Sequence, residues 1–199
     1  QYYDDPRRQE PTTYYGKSSG IGRLVEALRG PDDDKPVRIG VIGLGTGTMA
    51  AYGRAGDTVR FYEINPQVIE IARRDFKFIS DSKGKVDVSL GDARLTMERE
   101  APQQYDVLAI DAFSGDAIPT HLLSAEALDL YLRHLRPDGA LLFHVTNRYL
   151  NLAPVVAKLA AQRGLQIPFV VANPDKGLLD LLRKLQVGQL AGRALRREK

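Results

Sequence analysis

The stretch Val37 to Asn65, VRIGVIGLGTGTMAAYGRAGDTVRFYEIN, limits what this chain can fold into more than any other. Its apolar, β-branched opening, Val37 to Ile42, has the length and make-up of a buried strand. Gly43, Gly45 and Gly47 follow at alternate positions, then a short helical segment and a second strand over Thr58 to Ile64 with Glu63 near its end. Strand, glycine turn, helix, strand and terminal acid form the frame of a nucleotide-binding βαβ unit. The glycines let the backbone turn sharply and approach a ligand, and the acid can take two ribose hydroxyls.

The spacing narrows the ligand. A dinucleotide fingerprint needs glycine at the sixth position of the loop, where this chain has Thr48, and no Lys-Ser or Lys-Thr pair follows to make a phosphate loop. Gly-x-Gly-x-Gly with an acid 20 residues beyond its first glycine resembles the adenosyl-binding loop of S-adenosylmethionine enzymes.

A chain of 199 residues suits one core, and 43% hydrophobic with 27% charged residues is the composition of an ordinary globular protein. No apolar run approaches the roughly 18 residues of a membrane helix. With no cysteine, disulfide frameworks and thiolate nucleophiles are excluded, which fits a cytoplasmic setting. The charge is uneven: residues 176–199 hold seven Lys or Arg against Asp180 and Glu198, leaving the rest of the chain at −2. An acidic body with a basic tail argues against nucleic acid as a partner, and the tail reads as a solvated amphipathic helix.

Along the chain, residues 1–30 read as an irregular tyrosine-rich arm followed by a helix from about Gly20 to Arg29, capped by Ser18 or Ser19. Residues 31–199 read as the adenosyl-binding catalytic domain. Asn65-Pro66 is a strong helix start, and Val68, Ile69, Ala72 and Phe76 keep helical spacing to about Phe78. Further strands are expected over Val86 to Leu90, Tyr105 to Ile110, Ala140 to Val145 and Gln166 to Val171. Helices are expected after Gly91-Asp92-Ala93, from about His121 to Leu135 and from about Leu152 to Gln162, with a turn at Arg136 to Gly139. Alternation of this kind implies an α/β fold, a Rossmann-like, doubly wound, mostly parallel sheet with a small N-terminal extension; the resemblance of the glycine loop to S-adenosylmethionine enzymes implies the class I S-adenosylmethionine-dependent methyltransferase type. Beyond Val171 the pattern fails, and one helix over about Leu178 to Leu195 stands where a closing hairpin would be expected.

Four acids fall just after strand ends, where an open α/β sheet places its ligands: Glu63, Asp92, Asp111 and Asp116. An Asp at such a junction is often only a helix cap, but four of them beside a glycine loop favour a small-molecule site. Strands one and four are expected side by side at the switch point, so the glycine loop and Asp111 would face one crevice. His121, His134 and His144 lack ligand spacing, so no metal is expected, and His144 reads as a structural residue alternating with the strand core.

GLGTGT, FYEINPQVIEIARRDF, LGDARLTM and YDVLAIDAFSGDAIP, in this order, resemble the spermidine synthase family over roughly Thr13 to Val171, most of all its bacterial branch fused to membrane-spanning segments. The resemblance implies that Gly43, Gly45 and Gly47 line the adenosyl and sulfonium part of decarboxylated S-adenosylmethionine. It implies Glu63 on the ribose, Asp92 and the Ala93 backbone on the adenine amino group, and Asp111 as the catalytic carboxylate. Asp116 would bind the second end of a diamine, and Tyr15 would close over the substrate. The family's acid in the glycine loop is replaced by Thr46, and its Tyr-His-Glu element has only Tyr14-Tyr15-Gly16 as counterpart; both lie on the amine side. The expected activity is aminopropyl transfer to a small-molecule amine such as putrescine. Methyl transfer from intact S-adenosylmethionine and a non-catalytic adenosyl-binding domain are the alternatives, and a homodimer is a candidate assembly.

Overall fold

A computed structural model describes residues 6–12, 15–29, 35–112, 119–145 and 150–165. Five strands form one parallel sheet: β1 (Arg38–Ile42), β2 (Thr58–Glu63), β3 (Lys85–Leu90), β4 (Tyr105–Ile110) and β5 (Leu135–Phe143), in the order β3-β2-β1-β4-β5. The chain starts at the centre, winds outward through β2 and β3, then crosses back to β4 and β5. That reversal makes the fold doubly wound and puts the switch point between β1 and β4, where such sheets bind their ligands.

The period-two pattern of the strands sorts their side chains onto two faces. Ile39, Val41, Val59, Phe61 and Ala109 pack on one side with Val25 of α1 (Gly20–Arg29), Met49 and Ala50 of the 3₁₀ turn Thr48–Tyr52, and Ala72 of α2 (Pro66–Asp75). Ile42, Tyr62, Leu108 and Ile110 pack on the other with Met97 of α3 (Ala93–Arg99) and Ala127, Leu130 and Tyr131 of α4 (Ala125–His134). A fifth helix, α5 (Ala153–Ala161), follows β5 and buries Val156 and Ala160. Strand β4 is buried at every position, as its nearly continuous apolar run suggests, with Asp106 the one charged residue in it.

Several expectations hold to the residue. Asn65 caps α2 by accepting from Gln67 N at 2.9 Å, with Pro66 behind it, and Ser19 Oγ accepts from Gly22 N at 3.2 Å in α1. Others are corrected. The helical segment after the glycine loop is only the 3₁₀ turn, and β2 stops at Glu63 rather than Ile64. Helix α2 ends at Asp75, because Phe76 turns extended and Phe78 drops into the core. The helix expected from His121 splits into a 3₁₀ turn, Thr120–Leu123, and α4, because Ser124 Oγ accepts from Ala127 N at 3.2 Å and starts a new helix.

The turn expected at Arg136 to Gly139 lies inside β5 as an excursion. Tyr105 pairs with Leu135 and Val107 with Ala140, so β5 fits extra residues against a short step of β4. Arg136 leans out to Asp106 at 3.1 Å, and a side chain on Gly139 would come within 2.6 Å of Tyr105 O. The expected sixth strand and the final helix lie outside the described residues, as does most of the 31–35 loop.

Candidate active site

Parallel pairing does not stop where the strands do. Gly43 N donates to Tyr62 O at 2.8 Å, Asp111 N to Ile42 O at 2.8 Å, His144 N to Ile110 O at 3.0 Å, and Gly91 N to Glu63 O at 2.9 Å. In the strands, Ile42 pairs with Tyr62 and Ile110, and Ile110 with Phe143. One step further on, Glu63, Gly43, Asp111 and His144 therefore share a single row across the carboxyl edge of the sheet. The same step continues the face of Phe61, Val41, Ala109 and Leu142, where Tyr15 also packs.

The glycine loop needs its glycines. Gly43 lies at φ 96°, and a Cβ there would overlap Asp111 O, so only glycine lets β1 and β4 exit this close together. Gly45, at φ 52°, has no atom within 4 Å of the place a Cβ would take, and so opens the loop backbone to the crevice. Gly47, at φ 79°, backs onto Ile79. Glu63, nearly buried, accepts from Leu44 N at 3.0 Å through Oε2 and from Asn65 N at 2.8 Å through Oε1. Each oxygen spends one lone pair on the backbone and keeps another for a hydroxyl donor.

At the end of β3, Asp92 caps α3 by accepting from Leu95 N at 2.9 Å through Oδ1. Its Oδ2 lies 3.0 Å from His121 Nε2, and Ala93 beside it is buried. One oxygen of Asp92 thus serves the cap, and the other meets His121.

Asp111 sits in the densest cluster. Its Oδ1 is 2.6 Å from His144 Nδ1, and Tyr15 Oη–H donates to its Oδ2. Tyr15 is itself held from behind, because Tyr52 Oη–H donates to Tyr15 O at 2.5 Å. Burial, with Glu26 adding to it, pushes the Tyr52 phenol well above the ordinary tyrosine value, which keeps that donor protonated. Sequence reasoning did not foresee the contact made by His144. It stands one position past β5 as Asp111 stands one past β4, a signal visible only once the strands are put in register. Asp116 and Tyr14 lie outside the described residues.

No family model matches the chain. Over 144 residues, 70% of the chain, it is 36% identical to the polyamine aminopropyltransferase of Vibrio vulnificus (strain CMCP6), across 45% of that protein. In sequence the chain resembles the polyamine aminopropyltransferases. It spans less than half the length of the curated relatives it matches. In structure it is similar to a probable spermidine synthase from Corynebacterium glutamicum ATCC 13032, with TM-score 0.56 and 23% identity over 69% of this chain and 50% of that one. Human methyltransferase-like protein 13, solved in complex with SAH, superposes with TM-score 0.61 and 18% identity over 86% of this chain and 90% of that one. At these identities the two structures establish the fold, the class I methyltransferase type expected from the sequence.

Proposed function

We propose that this domain is a transferase that moves the aminopropyl group of decarboxylated S-adenosylmethionine to a primary amine of a small polyamine acceptor such as putrescine. The observation that carries the reading is the order of groups along the sheet edge. Asp92 follows β3, Glu63 ends β2, the glycine loop follows β1 and Asp111 follows β4, in sheet order β3-β2-β1-β4-β5. That is the linear order of adenine, ribose, sulfonium and attacking amine. The spare lone pairs of Glu63 and the open backbone at Gly45 fit a ribose and its substituent.

Each residue then has a defined task. Asp92 and the Ala93 backbone read the adenine amino group, Glu63 takes the ribose hydroxyls, and Gly43, Gly45 and Gly47 admit the sulfonium end. Asp111 supplies negative charge where the amine must lose its proton. An alkyl amine has a pKa of about 10.4 in water and reaches the site as an ammonium, so a neighbouring acceptor is needed before it can attack. Tyr15, against Asp111, stands on the acceptor side. The relative from Vibrio vulnificus, by its name a polyamine aminopropyltransferase, supports the same reaction class.

Methyl transfer from intact S-adenosylmethionine is the second reading. Thr46, whose hydroxyl is 2.8 Å from that of Thr48, stands where a second acid for a diamine would be expected, and methyl transfer needs no such pair. Among the described residues no helix is long and apolar enough to cross a membrane. We place the reaction in the cytoplasm.

Parallel calorimetric titrations with S-adenosylmethionine, its decarboxylated form and methylthioadenosine test the proposal. Preference for the decarboxylated donor, followed by methylthioadenosine release on adding putrescine, is the expected result. Preference for the intact donor moves the assignment to methyl transfer, and binding of none removes the adenosyl site.

A further inference from the structure

We infer that His121 positions Asp92 for the base of the donor and so sets which purine the adenosyl site accepts; this rests on the transferase reading above, in which Asp92 takes the adenine amino group. The two residues come from separate βα units. Asp92 follows β3, whereas His121 lies 29 residues on, in the 3₁₀ turn Thr120–Leu123 after β4, with its Nε2 3.0 Å from Asp92 Oδ2. The contact closes into a ring. Arg94, in the first turn of the helix that Asp92 caps, donates through Nη1 to His121 O at 3.1 Å and to Ser124 Oγ at 3.4 Å. Helix α3 therefore holds the backbone of His121, while His121 holds the carboxyl group that starts α3. The next residue is fixed as well, because Tyr131 Oη–H donates to Leu122 O at 3.0 Å and the Leu122 side chain is buried.

The imidazole is not a core group: the His121 side chain is 48% exposed and that of Asp92 21%. A contact this open to water adds little to stability. What it fixes is a direction. With Oδ1 accepting from Leu95 N at 2.9 Å and Oδ2 against His121, the carboxyl group of Asp92 cannot rotate without breaking one contact. Each oxygen has one partner and lone pairs for a second. Glu63 is held at both oxygens in the same way, but by two backbone N–H groups. In Asp92 one of the two anchors is a side chain, so selectivity for the base can be set by substitution there. An acceptor fixed in advance discriminates strongly, because a site built to bind a ligand's donor rejects the analogue that lacks it. His121 is thus a positioning residue that acts through Asp92.

Calorimetric titration of the full chain with methylthioadenosine and with methylthioinosine, which carries an oxo group in place of the 6-amino group, tests this. Wild type is expected to prefer methylthioadenosine about tenfold or more, the size of one hydrogen bond to a charged group. In His121→Ala and in His121→Phe, which keeps a ring without the contact, the preference should shrink to about threefold or less as that bond loses its alignment. His121→Gln, whose amide nitrogen reaches about as far as Nε2, should keep it. In an Asp92→Ala background His121→Ala should change nothing further, since the two act through one contact. A His121→Ala preference equal to wild type overturns the inference. So does an equal loss of affinity for both nucleosides, the mark of a merely structural residue, and so does a His121→Ala effect that persists without Asp92. Wild-type binding of both nucleosides alike removes Asp92 from the base, and the inference with it, while the donor site stands. Binding of neither nucleoside instead sinks the proposed function and the inference together.

Discussion

Glu63 and Asp111 stand on the same row, but the proposed reaction assigns them to different parts of the ligand, so they should separate cleanly. Glu63→Ala removes a charged acceptor, a loss of about 1.5–3 kcal/mol for such bonds, and methylthioadenosine should bind roughly tenfold or more weakly by calorimetry. Asp111→Asn should leave that affinity unchanged while abolishing turnover. Equal affinities in Glu63→Ala and wild type would strip Glu63 of its ribose role. His134 sets a different trend. It is fully buried, burial lowers its pKa, and its two ring nitrogens serve Met97 O as donor and Gln103 N as acceptor, which only the neutral ring can do. As pH falls, the unfolded chain therefore takes up this proton first, near the ordinary value of about 6.5. The stability His134 contributes is fully present above that value and declines below it. Urea midpoints at pH 7.5 and 5.5 should differ less in His134→Gln than in wild type.

Among the elements, β5 is the one whose conformation depends most on a partner. Gly139 closes its excursion against Tyr105 O, so Gly139→Ala should destabilise the fold by about 1–3 kcal/mol, as overpacking does, read as a lower midpoint with an unchanged m-value. The same element shows where sequence reasoning stops. Tyr105–Ile110 was legible residue by residue, because a strand buried on both faces writes itself as a nearly continuous apolar run, broken here only by Asp106. So was the start of α2, where Asn65 and Pro66 act locally. The turn at Arg136 to Gly139 was legible as a turn, but its place inside a strand depends on Asp106 and Tyr105 some 30 residues earlier. The contact of His144 was hidden for the same reason: alternation along one strand says which face it takes, and only the register against β4 says that it meets Asp111. Glu63, Asp92 and the glycines were legible because their spacing is contained in single βα units.

For the molecule as a whole, the N-terminal helix is anchored to the sheet by a buried ion pair. Arg29 and Asp57 meet at 2.7 Å, Asp57 also accepts from Val37 N and Arg54 N, and Arg29 donates to Tyr52 O at 2.6 Å. Arg29→Met leaves that carboxylate buried without its cation and should cost about 3–5 kcal/mol, measurable by chemical denaturation. The row at the carboxyl edge has a consequence of its own. Strands in a sheet repeat every 4.8 Å or so, so three rungs set the Cα positions of Glu63 and His144 roughly 14 Å apart. These rungs are set by backbone hydrogen bonds, with Gly43 leaving room for Asp111 beside it. On the proposed assignment the sheet edge is in that sense a graduated scale: a donor anchored at Glu63 would be screened for length, since only one of the right reach would bring its reactive carbon level with Asp111.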